Sequence, residues 1–361
     1  MSDRDFLNRC IELARKGGRK VFPNPRVGAV LVQDGRIIGE GFHPYAGGPH
    51  AEVAAVRAVR DRERLREATL YVSLEPCNHF GKTPPCTDLI LESGIPRVVV
   101  GSLDPNPQVS GQGIARLRAQ GVAVSLAADP WPFVDLNAPF FINQQLRRPY
   151  ITLKWARSAD GYLAATGPDG AAMRTAITGE ASLSRVHRLR ATHHAIMVGR
   201  HTAAIDNPRL NTRAYYGSDP IRIVMDPELR LSPALHLFQD GGETIVLNRH
   251  RHEPDGAVQW HIPDTWTAFS DLIASLYSSP GICSILVEGG TRLLQQFLDA
   301  ELYDEVYVFE GTAHLGKGLP APVLPVGFAF DSLEQVEADR LFYCRKKRYQ
   351  TVPQFENRQS F

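Results

Sequence analysis

Two short stretches of the sequence limit the possible folds most strongly, because their side chains are potential metal ligands that have to meet. The first stretch holds His50 and Glu52, and the second holds Cys77 and Cys86. Zinc readily takes imidazole nitrogen and thiolate sulfur, and a catalytic zinc keeps three protein ligands with a fourth position for water. We therefore predict that the fold brings His50 beside Cys77 and Cys86, with each stretch placed where a strand ends or a helix begins.

The order of these residues is typical of one class of zinc enzyme. A His-x-Glu sequence followed by Pro-Cys and a second cysteine is the pattern of the zinc nucleobase deaminases, in which the glutamate is general acid and base. The pattern predicts Glu52 as the catalytic residue of a hydrolytic deamination. A closed structural zinc site with His79 as fourth ligand, or a buried pair of thiols, is the alternative. Eight residues, 78–85, separate the cysteines where the usual form has two, so we expect a loop with its own role.

The composition is that of an ordinary globular protein, and it argues against several classes of function. A chain of 361 residues exceeds a single core, and the composition between 129 and 150 predicts two domains, 1–146 and 147–361, with a docking segment between them. A net charge of +1 argues against a nucleic-acid partner. The lack of a signal region, or of a run of about 18 apolar residues, argues against a membrane partner. The odd count of five cysteines favours a reducing, cytoplasmic location.

The first half alternates strands and helices after an initial hairpin at Asp34-Gly35. This pattern predicts an α/β sandwich with a mainly parallel sheet, whose sites lie beyond the strand ends. Three polar residues stand in loops: Asn24 between two prolines, His43 after the second strand, and Lys82 between the cysteines. An amide can read a pyrimidine edge and a lysine can hold a phosphate. Solvated or turn-forming roles for these three residues are equally open.

The second half has the pattern of another α/β domain with parallel strands. No Gly-x-Gly-x-x-Gly sequence follows a strand, so a standard Rossmann site is not indicated. The sequence Glu288-Gly289-Gly290-Thr291 joins a strand end to a helix start, where backbone N–H groups suit a phosphate. The same sequence also occurs as simple packing between a strand and a helix, and both interpretations stay open.

Longer motifs carry a family resemblance that covers nearly the whole chain. Residues 23–30, 74–86 and 104–107 resemble the deaminase half of the bifunctional riboflavin-biosynthesis deaminase/reductase family. Residues 199–213, in the spacing Gly-x-x-Thr-x-x-x-Asp-x-Pro-x-Leu-x-x-Arg, are similar to its reductase half, as are 287–290 and Lys154 with Asp160-Gly161. The resemblance implies an N-terminal cytidine-deaminase-like three-layer α/β/α domain and a C-terminal dihydrofolate-reductase-like α/β domain.

The resemblance also implies two reactions and the residues that serve them. Zn²⁺ would support deamination of 2,5-diamino-6-ribosylamino-4(3H)-pyrimidinone 5′-phosphate, and NADPH would then reduce the ribosyl chain to ribityl. The implied deaminase substrate-binding residues are Asn24, His43, His79, Lys82 and Asn106. The implied reductase substrate-binding residues are Arg190, Leu210, Arg213 and Glu288. The implied cofactor-binding residues are Lys154, Thr202, Asp206, Gly289, Gly290, Thr291 and Arg292. A helix or turn cap is the alternative role for Thr202 and Asp206.

Three positions depart from the family pattern near the implied cofactor site. Arg157 stands where a small residue is common, Ala176 replaces the tryptophan of a Trp-Ile pair, and Arg174 lies where a serine is expected nearby. These departures leave open a deaminase whose altered reductase half serves binding or assembly. A nucleic-acid deaminase and a purely structural zinc module are the remaining alternatives. We also expect small phosphorylated pyrimidines as the only partners besides the chain itself, in a dimer or tetramer.

Overall fold

The computed structural model describes residues 1–80, 84–106, 109–263 and 266–346. The chain divides into two compact units, Met1–Leu146 and Arg147–Phe361. In the described part of the chain, none of the helices combines the length and the apolar character that crossing a bilayer requires.

The first unit is built on a five-stranded sheet in the order β2-β1-β3-β4-β5. Its strands are β1 (Gly28–Gln33), β2 (Arg36–Phe42), β3 (Thr69–Val72), β4 (Arg97–Val100) and β5 (Ala123–Leu126). Its helices are α1 (Asp3–Arg15), α2 (Ala51–Ala58), α3 (Cys86–Glu92), α4 (Gln112–Ala119), α5 (Trp131–Leu136) and α6 (Ala138–Leu146), with a 3₁₀ turn at Arg62–Glu67. Strand β1 is antiparallel to β2 and β3, and β3, β4 and β5 are parallel, which confirms the predicted hairpin and mainly parallel sheet. Asp34 and Gly35 both have positive φ, as the tight hairpin turn requires.

Alternate residues of β1 face opposite layers of helices. Ala29 and Leu31 pack in a cluster with α2, α3 and α4, whereas Val30 and Val32 pack with α1 and α5. This alternation is the period of two that a strand imposes on its side chains. It gives the predicted three-layer α/β/α sandwich.

The segment predicted to dock between the domains is largely helical. Helices α5 and α6 occupy it, and Phe133 and Leu136 of α5 join the apolar cluster of α1. Pro130 and Pro132 do not prevent the helix, because they stand at its start, where proline is tolerated.

The second unit is built on a nine-stranded sheet in the order β11-β10-β9-β8-β12-β6-β13-β16-β15. The strands of this unit, with β7 and β14 in a separate small sheet, are β6 (Tyr150–Arg157), β7 (Tyr162–Ala165), β8 (Ala195–Gly199), β9 (Ile221–Met225), β10 (Thr244–Leu247), β11 (Val258–His261), β12 (Ser284–Val287), β13 (Glu305–Glu310), β14 (Gly318–Pro320), β15 (Ser332–Val336) and β16 (Asp339–Arg345). Its helices are α7 (Glu180–Thr192), α8 (Arg200–Asp206), α9 (His236–Gln239), α10 (Phe269–Ser278) and α11 (Thr291–Asp299). The seven neighbouring strands β11-β10-β9-β8-β12-β6-β13 are parallel to one another. Strand β16 pairs antiparallel with β13, and β15 pairs antiparallel with β16. Strand β7 pairs with β14 in a separate two-stranded sheet.

The parallel part of this sheet has helices on both faces, as such sheets require. Ile151, Leu153 and Trp155 of β6 pack with α10 and α11, while Thr152 and Lys154 point to the opposite face. Parallel strands end at a common edge, so the residues that follow β8 and β12 come together beyond that edge.

Candidate functional site

The predicted metal ligands meet at the starts of two helices in the first unit. His50 immediately precedes α2, Cys86 is the first residue of α3, and Cys77 lies in the loop after β3. His50 Nδ1 is 3.2 Å from Cys86 Sγ and 3.5 Å from Cys77 Sγ, and the three ligand atoms lie within 4.8 Å of one another. Within the described residues His79 is not part of this group. One imidazole and two sulfurs suit zinc and leave a fourth position open.

The two sulfurs form a hydrogen-bonded pair. The hydrogen bond from Cys86 lowers the pKa of Cys77, and the same contact raises the pKa of Cys86. The backbone N–H of Cys86 also donates to Cys77 Sγ over 3.3 Å. Thiolate is the form of cysteine that binds metals, and the arrangement favours it at Cys77, whereas Cys86 would lose its proton on binding a cation.

Glu52 lies in the first turn of α2, beside the metal group, and only 4% of its surface is exposed. Burial raises the pKa of its carboxyl group, and the negative charge of Cys77 raises it further. A carboxyl group with a raised pKa can hold a proton closer to neutral pH and give it up again. These properties suit a general acid and base.

A cavity of about 260 Å³ opens onto the metal group. It is lined by Asn24, Pro25, Val27, His43, His50, Ala51, Glu52, Leu74, Glu75, Cys77, His79, Asp104, Asn106, Val109, Phe140 and Gln144. The structure therefore brings four of the five implied deaminase substrate residues to the cavity beside the candidate metal ligands. The fifth, Lys82, lies outside the described residues.

Hydrogen bonds fix the orientation of two of these side chains. His43 Nδ1 lies 2.9 Å from the Pro49 carbonyl oxygen, which can only accept, so the Nδ1 nitrogen carries the proton. His43 Nε2 then accepts from the Asn24 Nδ2 amide over 3.1 Å. Burial lowers the pKa of His43, which favours this neutral form. The Oδ1 oxygen of Asn24 is left as an acceptor for a ligand.

Two carboxylates of the cavity, the buried Glu75 and the half-buried Asp104, were not singled out in the sequence. Glu75 accepts backbone N–H groups of Asp104, Gly111 and Gly113, at 3.2, 2.9 and 3.1 Å. It therefore anchors the start of α4 and the loop before it. Burial raises the pKa of Asp104 to about 6, and its carboxyl group faces the same cavity. The Asp-Pro-Asn-Pro motif was the signal that could have identified Asp104.

The second unit has a buried charge network at the common strand edge. Arg190 donates two parallel hydrogen bonds to Glu288, Nε to Oε1 at 2.8 Å and Nη2 to Oε2 at 2.9 Å. Lys154 Nζ lies 3.6 Å from Glu288 Oε2. Burial alone would raise the pKa of Glu288, but the charges of Arg190 and Lys154 outweigh it and lower the pKa to about 2. Burial lowers the pKa of Lys154, and Glu288 opposes that shift.

The implied dinucleotide residues lie beside this network, at the starts of α8 and α11. The backbone N–H of Gly290 donates to Thr202 Oγ1 over 2.9 Å, and the hydroxyl of Thr291 donates to the Pro320 carbonyl. A Cβ at Gly289 would come within 2.8 Å of the Leu293 side chain, which would have to shift to make room for it. Burial raises the pKa of Asp206 at the end of α8. Both the capping and the binding interpretation of Thr202 fit this geometry.

The remaining implied residues lie in the apolar core or at the surface of the second unit. The side chain of Leu210 is buried in an apolar cluster, and its positive φ of 55° is unusual for leucine. Arg213 and Arg292 are exposed, and Arg213 donates to the side chain of Asn211 over 3.1 Å. Among the departures, Arg157 is held by Glu310, with Nε 2.9 Å from Oε2. Arg174 is exposed, and so is Ala176.

Comparison with known proteins agrees with both halves of the chain. Residues 1–102 match the cytidine and deoxycytidylate deaminase zinc-binding region, and residues 149–341 match the RibD C-terminal domain. The chain is 39% identical to the riboflavin biosynthesis protein RibD of Aquifex aeolicus over 340 residues, covering 92% of this chain and 93% of that protein. It is 37% identical to the Escherichia coli RibD over 334 residues, covering 88% and 89%.

Solved structures give the same result. A deaminase/reductase from Thermotoga maritima is 38% identical, with a TM-score of 0.85, and the match covers 95% of this chain and 98% of that one. The RibD of Acinetobacter baumannii is 31% identical, with a TM-score of 0.83 and the same coverage. These matches confirm the predicted family, the two fold classes and the small phosphorylated pyrimidine substrates. The chain therefore belongs to the RibD family of riboflavin-biosynthesis proteins, with a zinc-binding deaminase half and an NADPH-dependent reductase half.

Proposed function

We propose that residues 1–146 deaminate 2,5-diamino-6-ribosylamino-4(3H)-pyrimidinone 5′-phosphate, and that residues 147–361 reduce the resulting 5-amino-6-(5-phosphoribosylamino)uracil with NADPH. The Thermotoga maritima relative is described as a deaminase and a reductase for these two compounds. The observation that carries the proposal is the cavity in which Glu52 stands beside the His50, Cys77 and Cys86 group. The cytoplasmic location and the homo-oligomer stay predictions from the sequence.

In the deaminase half, His50, Cys77 and Cys86 would hold zinc, which supplies Lewis-acid activation of water. Glu52 takes a proton as the water attacks the ring carbon that carries the amino group. Glu52 then gives that proton to the departing nitrogen, and ammonia leaves. The raised pKa of Glu52 suits both transfers.

Around the metal, polar side chains of fixed orientation would read the pyrimidine. Asn24 offers its Oδ1 acceptor because His43 holds its amide nitrogen. His79, Asp104 and Asn106 line the same cavity and can complete the contacts to the ring edge. A phosphate contact from Lys82 rests on the resemblance alone.

In the reductase half, the charge network would position the substrate for hydride transfer to C1 of its opened ribose. Arg190 and Arg213 would face the substrate phosphate, and Glu288 would hold Arg190 and Lys154 in place. When the hydride adds to C1, the nitrogen attached to C1 takes up a proton. Lys154 can supply this proton, because burial lowers its pKa. Thr202, Asp206, Gly289, Thr291 and Arg292 would contact the dinucleotide, with the N–H groups at the start of α11 suited to its phosphates. The side chain of Leu210 is buried, so its contact would come from the backbone.

A coupled assay on the purified, zinc-replete chain tests the proposal. We expect the diamino-pyrimidinone ribosyl phosphate to release ammonia and then to support NADPH oxidation, each signal being followed separately. Ammonia without NADPH oxidation would contradict the reductase assignment and favour a chain whose second unit only binds or assembles. If neither ammonia release nor NADPH oxidation is observed, the substrate assignment is contradicted.

Replacing Cys86 with serine should remove the metal. Serine is a poor ligand for zinc, so we expect zinc affinity to fall by more than about 100-fold and ammonia release to stop. Zinc content after dialysis against a competing chelator measures this change. The matched control is Cys344→Ser, a half-buried thiol in the other unit, which should keep its zinc. Full zinc occupancy in Cys86→Ser would contradict the three-ligand assignment.

A further inference from the structure

We propose that Arg116 of α4 is a positioning residue that holds the segments of Cys77 and Cys86 at the spacing that a bound zinc requires. This inference rests on the zinc site proposed above. It extends that site to a side chain that belongs neither to the three ligands nor to the lining of the cavity.

The separation of the two cysteines along the chain creates the need for such a residue. Ligands two residues apart are held by the turn of the chain between them, whereas residues 78–85 separate Cys77 and Cys86 here. The conformational freedom of a connecting segment grows with its length. Contacts outside this segment therefore have to hold the two sulfurs at the spacing of a tetrahedral site.

The residues that follow the two cysteines contact each other directly. The backbone N–H of Thr87 donates to the Cys77 carbonyl oxygen over 3.2 Å, and Thr87 Oγ1 donates to Asn78 Oδ1 over 3.0 Å. Thr87 is fully buried, so water competes little for these contacts. They join the loop that follows Cys77 to the first turn of α3, which begins at Cys86.

Arg116 contacts both of these residues from a third element. Its Nη1 donates to Asn78 Oδ1 over 3.0 Å and to Thr87 Oγ1 over 3.2 Å. Its Nη2 donates to the carboxylate of Asp88, which fixes the guanidinium plane so that Nη1 faces the other two acceptors. A planar guanidinium can hold three acceptors in this fixed arrangement, and the single ammonium of a lysine cannot.

Helix α4 is a suitable support because it is anchored to the same part of the sheet edge. Glu75, two residues before Cys77, accepts the backbone N–H of Gly113 over 3.1 Å. Arg116 follows Gly113 by three residues, about one turn of α4. The helix is therefore fixed to the chain before Cys77 and, through Arg116, to the chain after both cysteines.

The exposure of Arg116 favours a role in geometry over a role in folding. The side chains of Arg116 and Asp88 are 40% and 21% exposed. Ion pairs that solvent reaches contribute little to the free energy of unfolding. Removal of Arg116 should therefore change the spacing of the two cysteine segments more than the stability of the first unit.

The zinc affinity of the full chain tests the inference without turnover. Competition with a chromophoric chelator gives the zinc Kd of the wild type, Arg116→Ala, Arg116→Lys and Asn78→Ala. Loss of a residue that orients metal ligands costs about 10–100-fold in affinity, so we expect Arg116→Ala to raise the Kd about tenfold or more. Arg116→Lys should recover only part of this loss. The double variant of Arg116→Ala and Asn78→Ala should lose little more than Arg116→Ala alone, because both changes remove one shared contact.

Cobalt in place of zinc measures the geometry of the site directly. Co²⁺ takes the same nitrogen and sulfur ligands, and its visible absorption is strong when four ligands surround it tetrahedrally. At full occupancy we expect weaker visible absorption in Arg116→Ala than in the wild type, with Arg116→Lys between them. A residue that only stabilises the fold would lower the unfolding temperature of the zinc-free chain and leave this spectrum unchanged, which would overturn the inference.

The control is Arg118→Ala, which removes an exposed arginine of the same helix that donates to the Val124 carbonyl oxygen. It should keep the wild-type zinc Kd and cobalt spectrum. Asn78→Ala leaves the pair of Arg116 and Asp88 in place and gives the same test if Arg116→Ala does not fold. Unchanged zinc affinity in both Arg116→Ala and Asn78→Ala, or equal losses in Arg116→Ala and Arg118→Ala, would overturn the inference. A wild-type chain that binds no zinc would instead overturn the proposed metal site itself.

Discussion

Glu52→Gln should abolish ammonia release while the zinc stays in place. Glutamine has nearly the same shape but cannot accept and return a proton, and general acid–base catalysis contributes about 10²–10⁴-fold to a rate. The three ligand atoms belong to other residues, so the metal group is left intact. Ammonia release at saturating substrate and zinc content by elemental analysis are the two measurements.

Two controls separate a lost proton transfer from general damage. Glu92→Gln changes an exposed glutamate of α3 and should deaminate at the wild-type rate. In Glu52→Gln itself, NADPH oxidation should continue when the deaminated uracil compound is supplied directly. Loss of zinc from Glu52→Gln, or retained deamination, would show that Glu52 is not the acid and base.

The second large effect is expected from Glu288→Gln. This change leaves the buried Arg190 and Lys154 without their counter-charge, and removing one partner of a buried ion pair costs about 3–5 kcal/mol. We expect the second unit to unfold at lower temperature and NADPH oxidation to be lost. Differential scanning calorimetry and the reductase assay measure these effects, and ammonia release should persist.

The pH dependence of stability gives this change a signature of its own. The pKa of Glu288 is lowered to about 2 in the folded chain, below its ordinary value. Its stabilisation is therefore complete above the ordinary pKa of 4.5 and is lost as the pH falls toward about 2. Glu288→Gln should lack this acid-dependent loss. The matched variant Glu334→Gln, which breaks an exposed pair with Arg185, should cost less than about 1 kcal/mol. Equal effects from the two variants would contradict the network's role.

The metal group could be predicted from sequence because its signal is chemical. Few other uses bring one histidine and two cysteines together in this order, and the strand and helix periods placed His50 and Cys86 near helix starts and Cys77 after a strand. The first hairpin and the mainly parallel sheet followed from the Asp34-Gly35 turn and the alternation of elements, whereas the order of the strands in that sheet did not. Asn24 and His43 could be named as loop residues, but nothing in the sequence shows that His43 holds the Asn24 amide.

Other parts of the sites leave no periodic signal. Phe140 and Gln144 reach the deaminase cavity from α6, which lies in the segment interpreted as a docking region. The Thr202 hydroxyl accepts from Gly290, a contact between residues far apart in sequence that needs the pairing of β8 with β12. Leu210 shows the limit of a motif, because its side chain belongs to the core.

Glu75 has a consequence for redesigning this enzyme. Its carboxylate joins the segment that carries Cys77 to the loop of Asp104 and to the start of α4, so these parts form one rigid support. An engineer who rebuilds the loop at Asp104 and Asn106 to accept a different ring would have to keep residue 75 and the backbone N–H groups that it holds. Specificity can be varied with less risk to the metal ligands at Phe140 and Gln144, which line the cavity from α6 and are not held by Glu75.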